Sequence, residues 1–377
     1  MGLQPLLREH AAKADSDRRL SDEVDEALVD SGLFALLTPE RFGGYEAGAR
    51  TLLEVTEALG QGDPSAAWLV AVGTTGSWTV GQFSERARQE VFGTTAAPRI
   101  AGASEDLMAR QVDGGLVLNG RWSFASGSDR AQWAALGCGI ANDAGQPVGA
   151  ALSLVAADQL ILQKTWQTVG MRATASDTWI AEDVFVPDYR YLPLHELLAG
   201  RRPFPVEEPM YRLSVAAFLN VGLLGPIIGA GLAALSLVVD KAPAKAIQRT
   251  VFAQQSLSVG VQIQIGQAAM RLKSARLQAY DIVDELDSAA ARGEELPRAR
   301  RAEMRAQVGY VAQEVLAAIN ILVNVHGAGT FAEANRLQQL WRDANTGARH
   351  TLLNSVVGYE VLGKDLLSID TPVVPMV

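Results

Sequence analysis

Cysteine and histidine are scarce in this sequence, and their scarcity excludes several kinds of functional site. The 377 residues include one cysteine and four histidines. Cys138 has no partner for an intramolecular disulfide, and the histidines are too scattered for a metal cluster, so His10 and His195 are most simply surface or linker residues. The sequence predicts no metal site. Without a disulfide framework or a recognisable signal peptide, it also predicts a cytoplasmic protein.

Positive charge is limited as well. Lysine and arginine number 33 against 42 acidic residues, which gives a formal net charge of −9 at pH 7. This charge repels phosphate backbones, and no window combines clustered basic residues with aromatic ones. We therefore expect no nucleic-acid partner.

One long uncharged run raises the question of a membrane span. Residues 213–239 carry no charge and are long enough to cross a bilayer. Asn220, Pro226 and the four glycines of the run favour a helix that is buried among other helices. We therefore expect a core helix and no membrane partner.

The sequence pattern changes twice along the chain. Residues 1–98 place apolar residues at helical spacing, whereas residues 99–192 contain short apolar or alternating runs separated by glycine, asparagine and aspartate. The proline-containing linker YLPLHELLAGRRPFP begins the third region, residues 193–377, and the pattern after it is almost entirely helical. We expect an α+β, mostly α protein with an N-terminal α-helical domain, a central β-barrel-like domain and a C-terminal four-helix bundle.

Two glycine-rich strings match the loose dinucleotide fingerprint GxGxxA. They are GAGLAA at 229–234 and GAGTFA at 327–332. Neither follows a clear strand in a βαβ unit, and no acidic residue stands at the required distance, so we interpret both as chance matches or packing glycines. The lack of a nicotinamide fingerprint agrees with a separate protein that supplies reducing equivalents.

Several longer strings occur together in the order of the three regions. They are SGLFALLTPERFGGYEAG and GDPSAAWLV in the first region, GRWSFASGSDRAQW and TWQTVGMRATASDTWIAEDVFVPDYR in the second, and RTVFAQQ and NVHGAGTFAEANRLQQLWRDA in the third. With them, almost the whole chain resembles the acyl-CoA dehydrogenase superfamily. The resemblance is closer still to its branch of two-component, reduced-flavin-dependent monooxygenases, most specifically at GRWSFASGSDRAQW.

This resemblance implies an activity, a cofactor and partners. The expected enzyme takes reduced FMN or FAD from a separate flavin reductase, reacts it with O2 to a flavin C4a-hydroperoxide, and hydroxylates a small aromatic or polycyclic substrate. The resemblance also implies a homotetramer or homodimer that holds the flavin at subunit contacts. The alternatives are N-oxygenation of an amino sugar by the same chemistry, an acyl-CoA dehydrogenase that oxidises a thioester, and a flavin-free binding or assembly protein.

The resemblance also assigns flavin contacts to particular residues. It places Trp122 over a ring face, Ser126 near N5 as a binding and catalytic residue, and Arg249 at the start of a helix that reaches a neighbouring subunit's flavin. The other expected contacts are Ser128, Arg172, Thr174, Ser176 and Phe252. From the residue types alone, Trp122 is equally a strand core residue, the serines and threonine are turn formers, and the arginines are solvated charges.

The string RDANTGARH at 342–350 ends on a histidine. If its helix continues, Asp343, Thr346, Gly347, His350 and Asn354 share one stripe. The stripe is small or polar and leaves room for a ligand, so we expect Thr346, Gly347 and Asn354 to contact the substrate. A neutral imidazole there can accept a proton near neutral pH, although the pattern alone equally allows a histidine satisfied by Asp343 or Asn354 in the bundle.

The same string separates the two branches of the superfamily. In acyl-CoA dehydrogenases a glutamate shortly after RDA abstracts the α-proton of the thioester, whereas here no carboxylate lies between Asp343 and Glu360. The resemblance therefore favours a monooxygenase in which His350 is catalytic. It implies that His350 is either a base for the substrate or a stabiliser of the flavin peroxide.

Overall fold

The N-terminal region is helical. The computed structural model describes residues 2–198, 204 and 208–374. The helices here are α1 (Gln4–Asp17), α2 (Asp22–Asp30), α3 (Ala49–Gly62), α4 (Pro64–Val80) and α5 (Glu85–Phe92). Asp63 caps α4 by accepting the Ser65 N–H, and Pro64 occupies the first turn, where its missing N–H has no consequence. Most residues of α4 are buried, so this helix is the centre of the region.

The central region is a seven-stranded sheet in the order β5-β6-β2-β1-β3-β4-β7. Its strands are β1 (Ile100–Val112), β2 (Gly115–Ala125), β3 (Trp133–Ala141), β4 (Pro147–Ala156), β5 (Ile161–Gln163), β6 (Asp177–Pro187) and β7 (Tyr191–Pro193). Among the described strands, β1 and β3 are the one parallel pair. Asp113 and Gly114 turn β1 into β2, and Gly114 has a φ of 73°, which glycine adopts without strain.

The C-terminal region is helical again. Its helices are α6 (Leu194–Leu198), α7 (Val215–Val221), α8 (Leu224–Lys241), α9 (Val259–Arg292), α10 (Arg298–His326), α11 (Arg336–Gly347) and α12 (Ser355–Leu366). The described residues therefore follow the expected order of helical, β and helical regions. Residues 199–203 and 205 of the predicted proline-containing linker lie outside the described residues. The division into domains at 98/99 and 192/193 stays a prediction.

The uncharged run at 213–239 is not one helix, because the chain turns at Gly222 and Leu223 between α7 and α8. Two helical segments, Val215–Ala244 and Arg298–His326, are long and apolar enough to cross a membrane by length and composition. This is weak evidence, because the core helix of a soluble protein passes the same test. In the first segment 72% of the apolar window is buried inside the protein, as expected for a core helix.

Packing explains the glycines of GAGLAA. A Cβ at Gly229 would lie 2.7 Å from the Cα of Gly60, so these two glycines allow α8 to approach α3 closely. The second string, GAGTFA, follows α10 and forms a 3-10 turn at Ala328–Phe331. Neither string follows a strand, which agrees with the rejection of a dinucleotide site.

Candidate active site

Trp68 joins the helical and β regions through a row of hydroxyl groups. Its indole Nε1 donates to Ser126 Oγ at 3.2 Å. Ser126 Oγ lies 2.8 Å from Ser176 Oγ, which lies 2.7 Å from Thr174 Oγ1. Thr174 Oγ1 in turn donates to the Met171 carbonyl at 2.9 Å. We call Ser126, Ser176 and Thr174 the hydroxyl row; it brings together three residues that the sequence predicted as flavin contacts.

The two ends of the hydroxyl row fix the direction of its protons. An indole N–H can only donate, a backbone carbonyl can only accept, and each hydroxyl has one proton. Since Thr174 gives its proton to Met171, it accepts from Ser176, and Ser176 therefore accepts from Ser126. The Ser126 oxygen is left with an unused lone pair and no free proton, so it can accept a hydrogen bond from a bound molecule.

A strained loop at 171–176 carries the far end of the row. Met171 and Ala175 have φ values of 50° and 42°, a left-handed conformation that non-glycine residues rarely adopt. Asp343 on α11 holds the start of the loop, because its Oδ1 accepts the Met171 N–H at 2.6 Å. The Trp166 indole donates to the Met171 carbonyl at 2.8 Å. The loop is therefore fixed to the bundle from one side and to the β region from the other.

Asp343 is a buried carboxyl group. It is 1% exposed, and within the described part of the chain its Oδ2 has no hydrogen-bond partner. Burial raises the pKa of Asp343 to about 8, and the nearby carboxyl of Asp63 acts in the same direction. Asp343 is therefore mostly protonated at neutral pH.

Trp122, predicted to cover a flavin face, is not available to a ligand, and this assignment is wrong. It is fully buried in the β core, and its Nε1 donates to the Gly137 carbonyl at 3.0 Å. Phe124 is the exposed aromatic residue of this strand, with 70% of its surface open and its ring edge-to-face with Trp166 at 6.0 Å. A register shift between Trp122 and Ala125 and a φ of 62° at Phe124 turn that ring outward.

Three further residues of the β region were predicted to contact the flavin, Ser128, Thr174 and Arg172, and their outcomes differ. Ser128 is 2% exposed and donates to the Ala175 carbonyl at 3.0 Å, so its predicted contact with flavin is wrong. Thr174 is 1% exposed, its proton is used within the loop and it bonds to Ser176, so its contact with flavin stays a prediction. Arg172 lies at the edge of the site, with its guanidinium 3.6 Å from Asp15, and its role stays a prediction.

The bundle side departs from the helical stripe expected for RDANTGARH. Asn335 caps α11, so RDA lies within the helix rather than at its start, and α11 ends at Gly347. His350 instead caps a 3-10 turn, Thr351–Leu353, and Asn354 caps α12 through bonds from the Val356 and Val357 N–H groups. His350 and Asn354 are therefore not on a helical stripe with Thr346.

Gly347 is a packing residue rather than a substrate contact. It is buried, and a Cβ there would lie 3.3 Å from the Trp68 ring and 2.8 Å from the Met171 methyl group. Thr346 packs beside Gly170, whose missing side chain makes room for it. Contacts of Thr346 and Asn354 with a substrate stay predictions.

Trp68 contacts His350 as well as the hydroxyl row. The rings of Trp68 and His350 are 5.8 Å apart with an interplanar angle of 62°. His350 is exposed as a residue, while desolvation of its ring lowers the pKa and the charge of Arg305 acts in the same direction. The imidazole of His350 is therefore neutral at physiological pH. Trp68 thus contacts a neutral imidazole with its ring and Ser126 with its indole nitrogen.

Arg249 and Phe252 lie between α8 and α9, away from a helix start. Arg249 is exposed with a φ of 59°, and the Phe252 carbonyl accepts the Ile247 N–H at 3.0 Å. The predicted position at the start of a helix is wrong, because α9 begins only at Val259. Whether these residues reach a neighbouring subunit's flavin stays a prediction.

These residues fit a flavin and do not fit a metal. Ser126 and His350 both contact Trp68, and Phe124 lies two residues before Ser126 on β2, so an acceptor hydroxyl, a neutral imidazole and an exposed aromatic ring are available to a flat, partly polar cofactor. Among the described residues there is no group of three or more histidine, cysteine, aspartate or glutamate side chains that could hold a metal ion. The fold and the site together define a flavoprotein with an acyl-CoA dehydrogenase fold.

Comparison with known proteins identifies the family. Residues 3–97 match the acyl-CoA dehydrogenase N-terminal domain, and residues 221–355 match the acyl-CoA dehydrogenase C-terminal domain. HsaA of Rhodococcus jostii, the oxygenase subunit of a flavin-dependent monooxygenase, is 30% identical over 96% of this chain and 95% of its own. The chain belongs to the acyl-CoA dehydrogenase superfamily and is a flavin-dependent monooxygenase within it.

Two further proteins extend this likeness. The oxygenase component of FADH2-dependent resorcinol hydroxylase from Rhizobium sp. is 27% identical over 98% of this chain and 93% of its own. The structure of XiaF from Streptomyces sp. in complex with FADH2 and glycerol has a TM-score of 0.94, 33% identity, and coverage of 100% of this chain and 95% of XiaF. The predicted fold class, enzyme class and flavin cofactor are confirmed.

Trp68 and Phe124 are candidate site residues that the sequence did not predict. Both lie in strings that carry the resemblance, GDPSAAWLV and GRWSFASGSDRAQW. The signal for Trp68 is an indole N–H within a helix that is otherwise buried, since such a donor needs a partner. The sequence gives no signal that Phe124, rather than Trp122 two positions earlier, is the exposed aromatic residue of the strand.

Proposed function

We propose that this protein is the oxygenase component of a two-component system that receives reduced FAD from a separate reductase and hydroxylates a small aromatic compound. Reduced FAD is favoured over FMN because FADH2 is named for both resorcinol hydroxylase and XiaF. An aromatic substrate is favoured because the name of the former specifies a phenol. The buried lone cysteine, Cys138, agrees with a cytoplasmic location.

The observation that carries this proposal is the pairing of an acceptor and a neutral imidazole across Trp68. When bound, reduced flavin supplies the electrons that activate O2, so that one oxygen atom enters the substrate and the other leaves in water. The Ser126 oxygen can accept an N–H that the reduced flavin ring has and the oxidised ring lacks at N5. Phe124 offers an apolar face for the ring, and Trp68 bonds to Ser126 with its indole nitrogen and packs its ring against His350.

Self-association is part of the same proposal. The described residues of α9 expose four large apolar side chains, Val259, Ile263, Met270 and Leu277, each at least 55% open in the isolated chain. Their spacings of four and seven residues place them along one face of the helix. We expect this face to be covered in a homotetramer or homodimer, and light scattering on the purified protein measures the mass directly.

An anaerobic titration tests the function. Reduced FAD and reduced FMN are each added to the protein without O2, and binding is followed by flavin fluorescence. We expect tighter binding of reduced FAD than of oxidised FAD, followed by O2 consumption and hydroxylation when a phenol is present. Reduction of bound oxidised flavin by an acyl-CoA, without O2 consumption, would support a dehydrogenase and contradict the proposal.

A further inference from the structure

The imidazole of His350 bonds to the backbone two residues further along the chain. Its Nδ1 accepts the Leu352 N–H at 3.2 Å, so the side chain caps the 3-10 turn Thr351–Leu353. A ring nitrogen that accepts a hydrogen bond carries no proton. A neutral imidazole bonded in this way has its hydrogen on Nε2, the nitrogen on the far side of the ring.

Arg305 on α10 holds the same turn by its carbonyl groups. It is 5% exposed, and its guanidinium donates to the Thr351 carbonyl at 3.1 Å and also to the Leu352 carbonyl. Both backbone groups of Leu352 are therefore bonded: its N–H donates to His350, and its carbonyl accepts from Arg305. A planar guanidinium can bond two carbonyls at once, which a lysine ammonium does less well.

The groups around His350 disfavour a second proton on its ring. Arg305 is the charged group that acts on it, and the Trp68 ring that packs beside it is uncharged. Protonation of Nδ1 would break the bond from Leu352 and place a cation near a buried guanidinium. The turn, the charge and the aromatic neighbour therefore all favour the same neutral tautomer.

We infer that His350 is held in the Nε2–H form and serves the reaction as a hydrogen-bond donor, not as the base that takes the substrate proton, and that Arg305 is the residue that positions it. This inference rests on the proposed function of the site and specifies the role of its histidine. A donor at this place stabilises negative charge that develops on an oxygen atom during the reaction. A proton lost by a phenolic substrate then leaves to solvent rather than to His350.

Nuclear magnetic resonance on the flavin-free chain tests the tautomer without any measurement of turnover. The protein is labelled with ¹⁵N in histidine, and its four histidines make assignment by single substitution practical. We expect His350 to show an unprotonated Nδ1 and a protonated Nε2 from about pH 8 down to about pH 5, below the ordinary histidine pKa. An unprotonated Nε2, or an imidazolium near neutral pH, would overturn the inference.

Arg305→Lys tests the positioning role, with Arg298→Lys as the matched control on the exposed first turn of the same helix. In Arg305→Lys we expect both tautomers of His350 in the spectrum and about a tenfold lower kcat at unchanged affinity for reduced FAD. Arg298→Lys should change neither. A single Nε2–H signal in a folded Arg305→Lys variant would remove Arg305 from this role.

The two proposals fail in different ways. If the expected tautomer is present but no phenol is hydroxylated, the proposed function is wrong and the geometry of the turn stands. If hydroxylation occurs but His350 carries its proton on Nδ1 or titrates near neutral pH, the inference about the donor is wrong and the monooxygenase stands.

Discussion

The two sides of the site have opposite hydrogen-bonding character. We call Ser126 and Phe124 on β2 the β wall and His350 with its 3-10 turn the bundle wall. On the β side, the hydroxyl row leaves Ser126 with a free lone pair because its proton is committed to Ser176. On the bundle side, the cap on Leu352 leaves His350 with a proton on its outer nitrogen. In each case a backbone group decides whether the side chain donates or accepts. The Met171 carbonyl makes Ser126 an acceptor through the hydroxyl row, and the Leu352 N–H makes His350 a donor directly. The wall residues therefore cannot be interpreted from their side-chain types alone.

Trp68 and Asp343 connect these two walls. Trp68 donates to Ser126 with its indole nitrogen and packs its ring against His350. Asp343, near the end of α11, accepts the Met171 N–H at the start of the loop that carries Ser176. A change on one side can therefore disturb the other, and the variants below separate direct effects from transmitted ones.

The largest effect on turnover is expected for His350→Ala, which removes the side-chain donor. Loss of a donor aimed at developing charge costs about 10²–10³ in kcat in comparable sites. The Ser126 side of the site stays intact, so reduced FAD should still bind. Stopped-flow binding and product formation measure the two properties separately. His195→Ala, on an exposed histidine paired with Glu196, is the matched control, and equal turnover of the two variants would exclude His350 from the reaction.

Ser126→Ala removes the acceptor from the β wall. We expect about tenfold weaker binding of reduced FAD, from a lost hydrogen bond worth roughly 1–1.5 kcal/mol, and a smaller change for oxidised FAD. Equilibrium fluorescence titration under anaerobic conditions measures both affinities. Ser153→Ala, which removes a buried hydroxyl on β4 with no partner among the described residues, should leave both unchanged. Equal weakening of the two flavin forms would contradict the assigned proton direction.

Phe124→Ala removes the exposed ring of the β wall. We expect reduced FAD to bind several-fold more weakly, because aromatic contacts contribute about 0.5–1.5 kcal/mol, and stability to change little at a position that is 70% exposed. Phe185→Ala, on an exposed residue of neighbouring strand β6, is the control. If Phe185→Ala weakens flavin binding as much as Phe124→Ala does, the ring face is elsewhere.

Asp343→Asn has the smallest expected effect on turnover. Its main effect should be on how the free energy of unfolding depends on pH. The folded pKa of about 8 exceeds the ordinary value of 3.8, so the folded state binds a proton that the unfolded state releases. The resulting stability is complete below about pH 4 and is lost as pH rises through about 8. Asparagine keeps the acceptor for the Met171 N–H and cannot ionise.

Chemical denaturation at several pH values measures this effect. We expect the free energy of unfolding of the wild-type chain to fall between about pH 5 and 8, and that of Asp343→Asn to fall less steeply. Asp63 is also buried with a raised pKa of about 6, so part of the slope should remain in the variant. Identical slopes in both proteins would show that Asp343 is ionised in the folded state.

The sequence predicted regular structure better than it predicted the site. Helical spacing and turn residues gave the order of the three regions, because apolar periodicity reflects burial directly. The site prediction failed at Trp122, because the resemblance chose this residue whereas a shift of strand register and a positive φ turn Phe124 outward and leave Trp122 buried. It failed again at His350, because the residues after Gly347 carry no proline or other strong stop signal and the helical projection ran on through 354.

The sequence pattern could not distinguish the possible roles of His350, because they depend on individual hydrogen bonds. Resemblance placed His350 near the chemistry but left both a base and a peroxide stabiliser open. The distinction depends on one bond from the Leu352 N–H and on two carbonyls held by Arg305, a residue 45 positions earlier in the numbering of the chain. Contacts of this kind arise only when α10 packs against the turn.

A single-turnover reaction with isotope-labelled O2 tests the central claim most directly. The protein is loaded anaerobically with one equivalent of reduced FAD and a phenolic substrate, exposed to heavy-isotope O2, and the product is analysed by mass spectrometry. Our account predicts one labelled oxygen atom in the hydroxylated product, and hydrogen peroxide in place of that product for His350→Ala. A product without the label, or equal labelling in His350→Ala, would contradict it.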